Sequence, residues 1–229
     1  MRARDGAQRR LAAASVIAAV LGGGLVACTA TSDRPDGSPS PGATVAAFYG
    51  DSYTRGTGAS SPERRWSSIV ADERGWYEFN PSVDGLGYVI NRGLSGVDLV
   101  DLIVDFEPPP DVVIVTMGLN DSFLTASDSD ELEAAIGDDL ERFRDELPDA
   151  RLVVVEPFWY TAERPRSLEQ IIDRVEQAAD RVGADHIDGA SRWLEGHPEW
   201  IAADGIHPND EGYAEIARRM DEELDRLGL

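Results

Sequence analysis

A chain of 229 residues with 42% hydrophobic content can bury one sizeable core, and its length favours a single catalytic unit. Its formal net charge is -22 and all 21 basic residues are arginine, which leaves no basic stripe to follow a phosphate backbone and speaks against nucleic-acid binding. The single cysteine, Cys28, excludes an internal disulfide framework and any cysteine-rich metal site.

Chain order begins with an address. Arg2, Arg4, Arg9 and Arg10 precede an apolar run from Leu11 to Ala27, so residues 1–27 read as a secretory signal rather than as part of the fold. The run closes Leu25-Val26-Ala27-Cys28, which resembles the lipobox of bacterial lipoprotein signals, whose cysteine becomes the lipidated first residue of the mature chain. That resemblance implies export and a membrane anchor at Cys28 on the outer face of the cell, with plain secretion as the alternative. The same residues also admit an uncleaved transmembrane helix, for which the run is slightly short and glycine-rich, or a fortuitous free cysteine. Residues 28–43 follow as the lipidated cysteine and a Ser-, Pro- and Gly-rich tether, spanning roughly 20 Å on average.

Residues 44–229 should form the folded domain. Short apolar, β-branched runs at Thr44–Tyr49, Tyr88–Asn91, Asp111–Thr116, Arg151–Glu156 and Asp185–Ile187 are expected as strands. Amphipathic stretches at Pro62–Arg74, Val97–Phe106, Ser129–Glu146, Leu168–Val182 and Asn209–Leu227 are expected as helices. A run such as Val112-Val113-Ile114-Val115 is apolar on both faces, as parallel strands covered by helices are. The fold class is therefore α/β, a three-layer α/β/α sandwich on a mostly parallel sheet of about five strands.

In such sheets, functional groups gather beyond the carboxyl ends of the strands. Four segments stand at those places: Gly50-Asp51-Ser52-Tyr53, Asn91-Arg92-Gly93-Leu94-Ser95-Gly96, Gly118-Leu119-Asn120-Asp121 and Asp204-Gly205-Ile206-His207-Pro208. A Gly-Asp-Ser tripeptide alone is a common turn, and Asn120-Asp121 alone could cap a helix. In this order and spacing, however, the four resemble the conserved blocks of the GDSL/SGNH hydrolase family across nearly the whole folded part.

The chemistry accounts for the residue types. A serine hydroxyl is a poor nucleophile unless a neutral imidazole accepts its proton, which makes Ser52 the candidate nucleophile and His207 the candidate base. Asp204, three residues before His207, can fix the imidazole tautomer and stabilise the imidazolium. The resemblance implies the same triad, and it further implies an oxyanion hole made of the Ser52 N–H, the Gly96 N–H and the Asn120 side-chain amide. It implies ester hydrolysis with no cofactor and no metal, on a small-molecule, polysaccharide or lipid ester, by a monomer. A non-catalytic binding module of the same fold and an acyltransferase are the competing readings.

Other residues invite blander readings. Ser95 sits in a near nucleophile elbow that lacks its final glycine, Val97 standing there instead, so Ser95 is expected to support the site or cap a helix. Asp51 should bond nearby backbone N–H groups. His186 and His197, with Asp188, lack recognisable metal-ligand spacing and should serve packing or surface roles. Trp159, Tyr160, Trp193 and Trp200 are expected mainly in the core. Gly56-Thr57-Gly58 lacks the further glycine and the lysine of nucleotide loops.

Overall fold

A computed structural model describes residues 37–94, 96–124 and 128–229; the signal, the lipobox with Cys28, most of the tether, and Ser95 lie outside the described residues. Five parallel strands, β1 (Val45–Tyr49), β2 (Tyr77–Phe79), β3 (Val112–Val115), β4 (Arg151–Val155) and β5 (Asp185–Ile187), form one sheet in the order β2-β1-β3-β4-β5. Around it run α1 (Ser52–Arg55), α2 (Trp66–Arg74), α3 (Leu99–Val104), α4 (Ser129–Glu146), α5 (Arg166–Val182) and α6 (Asp210–Arg226).

The period-two alternation of the strands divides the core into two layers. Val45, Ala47, Tyr49, Val113 and Val115 face a cluster with Ile103 of α3, Ile136 and Phe143 of α4, and Val175 of α5. Ala46, Phe48, Val112 and Ile114 face the other, with Trp66 of α2 and Tyr213, Ile216 and Met220 of α6. Every residue of β1 and β3 is buried, as the doubly apolar runs require, and each Val, Ile or Phe side chain among them contributes roughly 1.5–3 kcal/mol. The strand order changes direction between β1 and β3, so the turns after these two strands open a crevice at their carboxyl ends.

Four of the five expected strands are present within a residue at either end; the second is not where apolar content placed it. Residues 88–91 form no strand. The N–H groups of Tyr88, Val89 and Ile90 all donate to the Asp121 carboxylate, at 2.7, 3.0 and 3.0 Å, and are therefore unavailable to a ladder. The second strand is instead the short Tyr77–Phe79 edge, paired with β1. The block containing Gly96 thus stands on a long loop between β2 and α3.

That loop has a second anchor. Arg92 donates through both terminal nitrogens to the buried Asp139 of α4, at 2.5 and 2.6 Å, and through one of them to the Tyr49 hydroxyl at 2.6 Å. The Tyr49 hydroxyl in turn donates to Asp139 at 2.5 Å. The expected helix from Pro62 is likewise broken: a short 3₁₀ turn precedes extended Arg65, and α2 starts at Trp66. Further along, Asp98 and Asn209 cap α3 and α6 by accepting N–H groups of their first turns.

Candidate active site

Ser52 is the first residue of α1, directly after β1, and Asp51 caps that helix by accepting the Tyr53 N–H at 2.9 Å. Because Ser52 opens a helix, its own N–H belongs to the donors that have no partner within the helix. From the other end of the chain, the loop before α6 brings His207 to it: Nε2 of the imidazole lies 2.9 Å from the Ser52 hydroxyl oxygen. The other ring nitrogen, Nδ1, lies 2.6 Å from Asp204.

Hydrogen bonds from the His207 ring and the Ile206 N–H hold the Asp204 carboxyl down at about 2. An ionised carboxylate can only accept, so Nδ1 carries a proton, and in the neutral ring Nε2 then presents its lone pair to the Ser52 hydroxyl. Asp204 also accepts the N–H groups of Ile206 and His207 at 2.9 and 3.0 Å, which makes the Asp-to-His segment a self-bonded turn. Gly58 closes against this turn: a Cβ there would lie 2.5 Å from the Pro208 carbonyl and 3.1 Å from the His207 Cβ.

Asn120 follows β3, across the crevice from Ser52. Its side-chain amide donates to the Leu86 carbonyl at 2.8 Å and, more weakly, to Asp51 at 3.4 Å. Gly96 lies on the exposed part of the loop, with φ at 70°, and its N–H donates to the Gly93 carbonyl at 3.2 Å. Of the three expected oxyanion donors, Ser52 and Asn120 thus flank Asp51, while the Gly96 N–H is turned to its own loop. Gly87 shows how tightly this loop is drawn in, since a Cβ there would meet the Asp121 carboxylate at 2.4 Å.

Asp51 is only 1% exposed, and burial pushes its carboxyl up to about 7, against the Tyr53 N–H that favours the ionised form. An unfolded aspartate titrates near 4. Between those values the folded chain holds more protons than the unfolded chain, so this group stabilises the fold fully below about pH 4 and loses that contribution as pH rises through 7. Urea unfolding should therefore show greater stability at pH 5 than at pH 8, by an uptake of up to about one proton, and Asp51→Asn should flatten that slope. An unchanged slope in the variant would remove Asp51 as its source.

The remaining expectations resolve locally. Trp159 and Trp193 are buried in the core, with Tyr160 and Trp200 partly buried beside it. His197 stacks on Trp200 at 3.6 Å between ring centres. His186 pairs with Asp188 at 2.9 Å, and among the described residues Glu176, His186 and Asp188 are the one set whose ligand atoms converge, within 4.8 Å. They belong to α5 and the β5 edge rather than to the loops that carry Ser52 and His207. Missed from sequence were Arg92, whose partner is 47 residues away, and Asp121 as the acceptor of three N–H groups. No local pattern announces either pairing.

A three-layer α/β sandwich with a serine, histidine and aspartate in hydrogen-bonded line at its switch point defines a serine hydrolase. The sequence matches the GDSL-like lipase/acylhydrolase family over residues 48–215, and the chain belongs to that family. It is an SGNH-type hydrolase acting on ester bonds. A GDSL lipase of Mycobacterium tuberculosis is 32% identical over 182 residues, covering 76% of this chain and 78% of the relative. The esterase EstA of a Pseudoalteromonas species shares the fold at a TM-score of 0.61 and 16% identity, over 80% of this chain and 98% of its own. So does a family two carbohydrate esterase from Cellvibrio japonicus, at a TM-score of 0.64 and 15% identity, over 80% and 61% of the respective chains.

Proposed function

We propose that the protein hydrolyses carboxylic esters of short acyl groups, on carbohydrate or lipid alcohols, through an acyl-serine intermediate at Ser52. The observation that carries this reading is the unbroken line from Asp204 through His207 to the Ser52 hydroxyl, at 2.6 and 2.9 Å. The Ser52 oxygen attacks the ester carbonyl while Nε2 of His207 takes its proton. The imidazolium, stabilised by Asp204, then returns that proton to the departing alcohol. A water molecule, activated by the same imidazole, attacks the acyl-serine and releases the acid. A neutral imidazole suffices to generate both nucleophiles, so no metal enters the scheme.

The oxyanion is met by the Ser52 N–H and the Asn120 amide, and the Gly96 N–H can join them only by releasing the Gly93 carbonyl, to which it donates at 3.2 Å. In this scheme Asn120 gives up its long bond to Asp51 for the developing charge. Asn120→Ala should lower kcat about 100- to 1000-fold, measured by ester hydrolysis, with the folded state retained. Equal rates would remove Asn120 from the hole.

Two features support the substrate class. The strongly acidic chain suits neutral or cationic esters better than polyanions. Among the described residues, the exposed large apolar side chains are Leu94, Val97, Phe123 and Ile206, and each stands within three positions of Gly96, Asn120 or His207. Apolar groups at those places favour an acyl chain over a charged one. In this reading the enzyme works as a monomer at the outer face of the cell membrane, held there through Cys28. The direct test uses residues 44–229 with p-nitrophenyl acetate, butyrate and octanoate and a fluorophosphonate probe. Hydrolysis with covalent labelling of Ser52 is expected, fastest on the shorter acyl groups. Absence of both labelling and turnover, the outcome for a pure binding module, would sink the proposal.

A further inference from the structure

We infer that Tyr53, the residue directly after the nucleophile, is a positioning residue that registers the His207 loop on the helix carrying Ser52. This inference rests on the roles proposed above for Ser52 and His207. Where the motif that gives the family its name has leucine, this chain has a tyrosine, and the structure gives its hydroxyl a partner. The Tyr53 hydroxyl donates to the Ile206 carbonyl at 2.5 Å, across 153 residues of chain. Its fully buried ring stacks on Phe158 and tilts against the His207 imidazole, each at 5.9 Å between centroids. At its root, the Tyr53 N–H is held by Asp51.

Two successive residues of α1 therefore hold two successive residues of the loop, Ser52 reaching His207 and Tyr53 reaching Ile206. Among the described residues, these are the only hydrogen bonds between α1 and residues 201–208. The loop's own bonds, from Ile206 and His207 to Asp204 and from the Ala202 N–H to the His207 carbonyl at 2.7 Å, fix its shape but not its distance from the serine. Burial raises the phenol well above its ordinary range, so it stays a donor at any working pH.

The two bonds fare differently during turnover. Once the Ser52 oxygen is bonded to the acyl carbon, it has no proton to give, and the bond from the hydroxyl to His207 is gone. The Tyr53 bond is untouched. Deacylation then needs the imidazole in place: water's oxygen attacks the acyl carbon, Nε2 takes a proton from that water, the bond from Oγ to the acyl carbon breaks, and the proton passes to Oγ. Tyr53 accordingly matters more to the second half-reaction than to the first.

The test is stopped-flow hydrolysis of p-nitrophenyl butyrate by the full chain and by Tyr53→Phe, which keeps the ring and loses only the hydroxyl. Tyr53→Leu, the residue of the family motif, serves as the second variant, and the unfolding midpoint is recorded for each. Misplacing a catalytic group by about 1 Å costs up to about 100-fold, so kcat should fall roughly 10- to 100-fold. Because acyl-enzyme then accumulates, KM should fall with kcat, and a burst approaching about one p-nitrophenolate per active site should appear. A kcat within threefold of the parent in both variants overturns the inference. So does a loss shared equally by kcat and kcat/KM without a burst, which is what general loosening of the fold would give. Persistence of hydrolysis in Ser52→Ala would instead overturn the catalytic assignment itself.

Discussion

Ser52→Ala is expected to abolish ester hydrolysis, with a loss of at least about 10,000-fold in kcat, while the unfolding midpoint stays close to that of the parent. The size follows from the scheme: no acyl-enzyme can form, and an imidazole with no hydroxyl to deprotonate can only act on water. The fold should be indifferent. Ser52 is 5% exposed at the head of α1, where the helix is capped by Asp51 rather than by the serine side chain. Alanine loses one hydrogen bond, to His207, whose ring is still held by Asp204 at 2.6 Å. Hydrolysis rates and chemical denaturation on the same preparation check both halves. Residual turnover above a hundredth of the parent would mean that another group supplies the nucleophile.

The largest effect on stability should come from Asp139→Ala. Asp139, 2% exposed, takes two hydrogen bonds from the half-buried Arg92 and one from the Tyr49 hydroxyl. Removing the carboxylate leaves the buried Tyr49 O–H without its acceptor and the half-buried guanidinium with only the Tyr49 oxygen and the more distant Asp98, so the loss should approach the roughly 3–5 kcal/mol typical of a broken buried ion pair without exceeding it. Because Arg92 ties down the loop that leads to Gly96, activity should fall alongside stability. Replacing both partners, with Arg92→Met and Asp139→Leu, should recover much of the stability, since an apolar pair of similar volume leaves no unpaired charge. Urea unfolding of the single and double variants decides the matter: equal losses in both would show that the pair itself was not what the single change broke.

Much of the architecture was legible because its signals are local. The doubly apolar runs of β1, β3 and β4 announce burial on both faces, and the helix Ser129–Glu146 carries a continuous helical period. The four motif blocks are local too: those of Ser52 and Asn120 follow β1 and β3 directly and that of His207 meets Ser52 there, whereas Gly96 stands on an exposed loop turned to itself. Illegible were features decided by long-range partners. Tyr77–Phe79 is too short to show a period and exists as a strand because β1 offers it an edge. Residues 88–90 look like a strand by composition, yet a carboxylate more than thirty positions away claims their N–H groups. Tyr53 reads as an ordinary aromatic until the chain end folds back to meet it.

The sheet ends on both sides in strands of three residues, β2 and β5, each carrying an acid, Glu78 and Asp185. Both acids are paired with arginines, Arg65 and Arg151, that belong to neighbouring elements. An incoming strand from another molecule would find almost no free ladder to extend, and it would have to displace charge to do so. At high concentration, such molecules should stay separate instead of polymerising edge to edge.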